Sequence, residues 1–333
     1  MDIVIPFYNE QAVVSELFTR LEQLVDSLAA EVTVICVNDG STDSTLEKLL
    51  EAAASARFTV RILSLSRNFG KESALTAGLH HTEADVVISM DGDLQDPPEL
   101  IEELYQRWLD DEQLDIVIPV RRTRNEDGFL KRTTATLFYW VAQKITDTKM
   151  LPQAGDFRLM SRRVITAIEH YGERARFMKG LFATVGFNYA TVEYDRPGRP
   201  AGKTSFSLWK LWNFALDGIT SFSSLPLRIW SYVGFLLAAL GLGFAALKVV
   251  STLVFGVDVP GYASTFVVVL FFSGIQLISI GILGEYIGRV FSEVKRRPLY
   301  LVDRTHGFDG QFLREVSARH DLPAIARDID SRD

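Results

Sequence analysis

Over the first 120 positions, short apolar runs alternate with longer stretches of mixed polarity. Residues 3–6, 32–37, 60–65, 86–90 and 116–120 are apolar or β-branched runs of strand length. Between them, residues 10–29, 44–56, 72–81 and 98–110 carry apolar side chains at helical spacing, so the period switches from strand to helix and back. Helices long enough to cross over between strands imply right-handed connections and a mostly parallel sheet covered on both faces, an α/β fold. In such sheets ligands bind beyond the carboxyl ends of the strands. The polar clusters fall there: Tyr8-Asn9-Glu10, Asn38-Asp39-Gly40-Ser41, Ser66-Arg67-Asn68-Phe69-Gly70-Lys71 and Asp91-Gly92-Asp93 follow the first four runs in turn.

The pattern changes after residue 205. Phe206, Leu208, Trp209, Leu211, Trp212, Phe214, Ala215 and Leu216 alternate with Ser207, Lys210, Asn213 and Asp217. This amphipathic, Trp-rich stretch suits a membrane interface, with packing against the sheet as the alternative. Residues 229–247 and 259–284 contain no charged side chain, and each run matches the roughly 20 residues that cross a hydrocarbon core. Two membrane helices are expected, in preference to a buried hairpin of a soluble protein. The connector lacks Lys and Arg, whereas Arg228 precedes the first run and Arg289, Lys295, Arg296 and Arg297 follow the second. That asymmetry places both ends on the cytoplasmic side. Lys248 can snorkel to the interface, and Gly281, Gly284 and Gly288 form a small-residue face for close helix packing. The expected organisation is a soluble domain over 1–205, interface helices over 206–227, a transmembrane hairpin over 228–290 and a cytoplasmic tail over 291–333, with a strand-like stretch at 299–302.

Composition narrows the classes. A chain of 333 residues has room for roughly two structural units, and 47% apolar with 23% charged residues is not a disordered composition. Lys plus Arg number 35 against 42 Asp plus Glu, a net charge of −7, which argues against a grip on nucleic acid through a basic face. The single cysteine, Cys36, can form neither an intrachain disulfide nor a paired-thiolate zinc site, and its apolar setting predicts a buried small side chain. No basic n-region precedes the first apolar run, so no cleavable signal peptide is expected. His80 and His81 are adjacent on a predicted helix, where neighbours point about 100° apart. They read as core or surface residues, not metal ligands.

Asp91-Gly92-Asp93, at the end of an apolar run, can hold a hard divalent cation, Mg²⁺ or Mn²⁺, that neutralises a diphosphate. Alone the pattern is weak, because surface turns often produce it. With Asp39 at a neighbouring strand end, it suggests a base and ribose site beside a metal site, as a sugar nucleotide requires. A resemblance then spans nearly the whole chain. Val4-Ile5-Pro6-Phe7-Tyr8-Asn9-Glu10, Val37-Asn38-Asp39-Gly40-Ser41, Arg67-Asn68-Phe69-Gly70-Lys71, Asp91-Gly92-Asp93-Leu94-Gln95-Asp96-Pro97 and Gly155-Asp156-Phe157-Arg158-Leu159-Met160-Ser161-Arg162 resemble family 2 glycosyltransferases of GT-A fold. More narrowly, the chain resembles the polyprenyl-phosphate glycosyltransferases and, among them, the bactoprenol glucosyltransferases. The stretch from Trp209 to Ser223 and the run Leu283-Gly284-Glu285-Tyr286-Ile287-Gly288-Arg289 are similar to that subgroup in order and spacing.

The resemblance implies inverting transfer of glucose from UDP-glucose to undecaprenyl phosphate at the cytoplasmic face of a bacterial inner membrane, by a homo-oligomer such as a tetramer. It implies that Pro6, Tyr8, Glu10 and Asp39 line the uridine site, and that Lys71, Asp91 and Gly92 also belong to the nucleotide-sugar site. Asp91, Asp93 and Gln95 would handle metal and diphosphate, with Asp93 counted as catalytic. Asp156 is the candidate base or acceptor-orienting carboxylate; a helix N-cap or ion pair with Arg158 is its structural alternative. An anionic lipid acceptor needs cations beside an anionic donor. Arg121, Arg122, Lys131, Arg132, Arg196, Arg199 and Lys203 are the candidates. Where the family carries a basic residue just before the aromatic Phe206, this chain has Ser205, with Lys203 two positions earlier. Other donors, namely UDP-N-acetylhexosamine, GDP-mannose or a modified arabinose nucleotide, and an inert sugar-nucleotide-binding scaffold are the competing readings. No Gln-x-x-Arg-Trp is present, which disfavours a processive synthase.

Overall fold

The computed structural model describes residues 1–121, 155–171, 181–182, 184–194, 225–255, 261–320, 322 and 327–329. The chain divides into two compact units, one from residues 1–140, 148–205 and 297–333, the other from 141–147 and 206–296.

The first unit starts with the predicted alternation. β1 (Asp2–Phe7), α1 (Val14–Ser27), β2 (Thr33–Asn38), α2 (Thr45–Ser55), β3 (Thr59–Leu65), α3 (Lys71–His80), β4 (Val86–Ser89), α4 (Leu100–Leu109) and β5 (Ile116–Arg121) follow in order. β6 (Arg158–Ser161), α5 (Arg162–Glu169) and β7 (Tyr189–Tyr194) come next, and β8 (Val302–His306), α8 (Gly310–Arg319) and β9 (Arg327–Asp328) come from the tail. The sheet order is β7-β5-β6-β4-β1-β2-β3-β8-β9. β4, β1, β2 and β3 are parallel to their neighbours in that run, whereas β6 is antiparallel to both β4 and β5, and β8 is antiparallel to β3.

Side chains alternate across the sheet with the period of two that a strand imposes. Ile3, Ile5, Phe7, Val34 and Cys36 enter one core layer, and Val4, Ile35 and Val37 enter the other. Both layers are covered by helices, which is why these strands read as unbroken apolar runs. Cys36 is buried, as its setting predicts.

Two elements start later than the periodicity suggests. The first helix begins at Val14 instead of residue 10 because the preceding backbone has other partners. The N–H groups of Asn9, Glu10 and Gln11 donate to Ser41 Oγ, Thr45 Oγ1 and Asp43 Oδ2 at 3.0, 2.9 and 3.4 Å. Asn9 stands at φ 54°, so this segment is a loop stitched to the end of β2. The tail strand runs over Val302–His306 and not 299–302. Before it, Leu301 C=O accepts from Ser66 N–H at 2.9 Å, and Tyr300 is fully buried.

α3 shows why the tail belongs to this unit. Residues 74–80 of this helix are all buried, so it has no polar face and requires cover on two sides. The sheet supplies one: a Cβ on Gly78 would stand 2.2 Å from Val4 Cγ1. The tail supplies the other, with Tyr300 and Val302 in the same core layer as Leu79, and Phe308 packed against it. Tyr300 Oη lies 3.0 Å from His80 Nδ1, and the His80 and His320 rings stack at 3.7 Å. His80 and His81 are thus core residues.

The second unit contains α6 (Leu225–Phe255) and α7 (Tyr262–Val294). At 1.5 Å rise per residue each spans roughly 45–50 Å, more than a hydrocarbon core of about 30 Å. Among the described residues, Phe271–Val294 is long and apolar enough to cross a membrane, and Tyr232–Gly241 is a shorter apolar stretch. Large apolar side chains stand out from both helices, Leu253 at 81% and Phe255 at 85% exposure among them, a surface that water does not solvate well.

Gly78→Ala tests the α3 seat. The added methyl group forces Val4 or the helix to move, and overpacking of this kind costs about 1–3 kcal/mol. The expected result is a lower melting temperature of the detergent-purified protein, with no compensation from Gly78→Ser, which carries the same Cβ.

Candidate active site

The carboxyl ends of β1, β2 and β4 and the start of α3 enclose a cleft of about 320 Å³. Pro6, Phe7, Tyr8, Glu10, Asp39, Asn68, Lys71, Ala74, Asp91, Gly92 and Asp93 line it. All the residues expected in the nucleotide-sugar site are therefore brought together, with Asn68, Phe7 and Ala74 in addition. Tyr8 presents a ring at 46% exposure, while Asp39 is buried to 2%.

Gly92 fits because nothing larger does: a Cβ there would lie 2.8 Å from the Phe7 ring and 3.1 Å from Pro6 C=O. The two carboxylates of Asp91 and Asp93 are thus set on a backbone pressed against β1. Leu94 follows at φ 58°, and the turn closes with Gln95 N–H donating to Asp93 Oδ1 at 3.0 Å. Gln95, expected as a ligand, so reaches this cluster through its backbone.

Lys71 is the central cation. Its Nζ lies 2.7 and 2.9 Å from the two oxygens of Asp91 and 2.5 Å from Asp156 Oδ2. Burial pulls its basicity down, but Asp91 and then Asp156 outweigh that together and leave the ammonium more firmly protonated than usual. Asp91 itself is pushed up, by burial first, with Lys71 opposing. Glu10 is pushed up by burial, then by Asp93 and Asp43. Burial and neighbouring carboxylates thus oppose ionisation of the acidic groups in the cleft, and the Lys71 ammonium offsets this at Asp91.

Asp156 is fixed from behind. Ser89 Oγ donates to its backbone C=O at 2.5 Å, and the Arg158 guanidinium donates to Gly155 C=O. Arg158 is buried with its guanidinium 3.7 Å from the Phe182 ring centroid, an arrangement worth more when desolvated. Burial brings its pKa down to about 10, against the pull of Asp156 and Glu72. Sequence reasoning weighed Arg158 only as an ion-pair partner and missed Ser89. Its signal was a polar residue closing the otherwise apolar Val-Val-Ile-Ser strand.

Among the acceptor-phosphate candidates, Arg121 ends β5 by its backbone. Arg122, Lys131, Arg132, Arg196, Arg199 and Lys203 lie outside the described residues, as does the interface stretch 206–217. Among the described residues, no three His, Cys, Asp or Glu side chains converge on a cation. The donor set still fits a hard divalent ion, because such an ion takes one or two carboxylates and completes its shell with water and substrate phosphate oxygens. Asp93 and Asp91 are the residues placed to supply them.

The chain belongs to glycosyl transferase family 2, whose model matches residues 2–168, and its first unit is a GT-A-like α/β domain. Its distal part narrows that membership: residues 225–290 match the GtrB C-terminal hairpin. The chain is 50% identical over 93% of its length to an uncharacterized glycosyltransferase of Synechocystis sp., covering 96% of that protein. It is 45% identical over 92% of its length to a prophage-derived bactoprenol glucosyl transferase of Shigella flexneri, covering 98% of it. A prophage bactoprenol glucosyl transferase homolog of Escherichia coli is 45% identical over 91% of this chain and 98% of its own.

The charge imbalance has a pH signature. A carboxyl group whose folded pKa is raised above its unfolded value destabilises the fold once ionised, and that burden is absent below the unfolded value. Glu10→Gln should therefore raise the unfolding midpoint at pH 7. The gain over the parent should vanish as pH falls below 4.5, the ordinary value of the group; a thermal-melt series across pH reads both ends.

Proposed function

We propose that the protein transfers glucose from UDP-glucose to undecaprenyl phosphate with inversion at the anomeric carbon. The observation that carries this reading is likeness to the Shigella flexneri bactoprenol glucosyl transferase over the hairpin as well as the sheet domain. The cleft supports it: Asp91 and Asp93 could carry a divalent ion with its diphosphate, and Lys71 links Asp91 to Asp156. On this reading the hairpin is a pair of membrane spans, both termini are cytoplasmic, and copies of the chain associate.

In this reaction a phosphate oxygen of the lipid attacks C1 of the glucose, the new C1–O bond forms, and the bond from C1 to the β-phosphate oxygen breaks. A phosphate monoester has a second pKa near 6, so at neutral pH the acceptor is largely a dianion and needs little proton removal. Asp156 then serves chiefly to orient the acceptor and the Lys71 ammonium. Asp91 and Asp93 would hold a divalent ion, which when bound would stabilise the developing charge on the UDP leaving group. Lys71 would serve the same diphosphate, and Pro6, Tyr8, Glu10 and Asp39 would border the uridine. Arg121 and the basic residues within 122–132 and 196–203 would counter the charge of the lipid phosphate.

Purified protein in detergent, given undecaprenyl phosphate, Mg²⁺ or Mn²⁺ and a panel of radiolabelled UDP- and GDP-sugars, tests the donor. Chelator-sensitive labelling of lipid by glucose is the expected result, and labelling by another sugar alone would reassign the donor. Asp93→Asn should lower turnover at least 10²-fold, the scale of losing one electrostatic stabiliser, with an unchanged melting temperature. Asp156→Asn should reduce turnover far more than UDP affinity by calorimetry, whereas equal losses in both would place Asp156 on the donor side.

A further inference from the structure

β4 ends on Ser89 and β6 begins on Arg158, and the two residues are direct partners across the antiparallel pair. Their side chains therefore leave the sheet on the same face. Ser89 Oγ donates to the Asp156 C=O at 2.5 Å, and the Arg158 guanidinium donates to the Gly155 C=O. Two neighbouring polar side chains thus grip two successive carbonyls of the segment that carries the Asp156 carboxylate. The Phe182 ring lies against the guanidinium, 3.7 Å from centroid to its central carbon, and Ser89, Arg158 and Phe182 are all buried. Lys71, which lines the cleft, meets Asp156 Oδ2 at 2.5 Å, so this carboxylate stands between a gripped backbone and an ammonium.

Packing alone does not call for a guanidinium here. An apolar side chain of similar volume would fill the place without the desolvation penalty of an ion. What arginine adds is a planar fork that stacks by its face on Phe182 while its edge donates to the carbonyl. We propose that Arg158 is a positioning residue for Asp156, with Ser89 as its partner: together they lock the Gly155 and Asp156 carbonyls and so hold the carboxylate against Lys71 in one orientation. This rests on the reading in which Asp156 orients the acceptor. A misplacement of about 1 Å costs on the order of 10²-fold in rate, and residues that act through one another give non-additive losses. Loss of Arg158 thus acts on turnover through Asp156 and spares nucleotide affinity, because Pro6, Tyr8, Glu10 and Asp39 line the cleft from the ends of β1 and β2.

The test is a double-mutant cycle on turnover of the full-length protein in detergent, with UDP affinity by calorimetry and melting temperature measured on every variant. Arg158→Met is expected to lower kcat on the order of 10²-fold with UDP affinity unchanged, and to cost nothing further in an Asp156→Asn background. Arg158→Lys, which keeps the charge but not the fork, is expected to stay closer to Arg158→Met than to the parent. Multiplicative losses in the double variant, or a loss of UDP affinity equal to the loss of turnover, would overturn the assignment and leave Arg158 a structural residue. Parental kcat in Arg158→Lys would overturn the locking of the carbonyl, since charge alone would then suffice. Full turnover in Asp156→Asn would instead overturn the Asp156 reading itself. Ser89→Ala serves where Arg158→Met does not fold, because it removes a single hydroxyl from the same grip. It is expected to lower kcat and, like Arg158→Met, to cost nothing further in Asp156→Asn; an unchanged kcat would count against the proposal.

Discussion

Like charges crowded at the end of a sheet repel, and one ammonium keeps this crowding compatible with a folded protein. Glu10, Asp39, Asp91 and Asp93 all line the cleft, and Lys71 is the cation among its described lining residues. The lysine can serve there only if α3 starts at the right point, and α3 starts there because of constraints far from the charge. Its middle is pressed onto β1 at Gly78, its far end is closed by Tyr300 and stacked His320, and its first turn hangs from the Asp39 carboxylate. The electrostatics of the site are in this sense a consequence of apolar packing.

Much of this architecture was legible beforehand. Strands buried on both faces read as unbroken apolar runs, and β1 to β5 therefore stood out. The clusters after them named the cleft, because open α/β sheets bind beyond their strand ends. What periodicity could not show was the antiparallel β6 between β4 and β5: a short run such as Arg-Leu-Met-Ser carries no sign of direction. Nor could it show that residues 9–11 leave the helical pattern to donate to Ser41, Thr45 and Asp43, since those bonds join segments about thirty residues apart. The pairing of Lys71 with Asp156 is likewise a contact across 85 positions. Asp39 was visible as a polar residue at a strand end, but the amide partners that define its geometry were not.

The second unit obeys a different rule. A soluble helix hides one face, whereas α6 and α7 leave large apolar side chains exposed along their lengths. Residues 225–290 match the hairpin family as one block, so the apolar exterior is a property of the module and not of isolated side chains. A lipid surroundings satisfies such a surface, since a helix meets all its backbone hydrogen bonds internally.

The order in which the sheet is assembled follows from where its strands lie in the chain. Ile62 in β3 pairs with His306 in β8, yet both long helices are translated between them. Synthesis runs from the amino end, and pairings between distant positions form late. The edge of β3 and the outer side of α3 therefore stay uncovered on the ribosome until the hairpin has emerged. The residues that line the cleft all precede the hairpin, whereas the strand that covers β3 follows it, so completion of the globular part is timed by delivery of the apolar part.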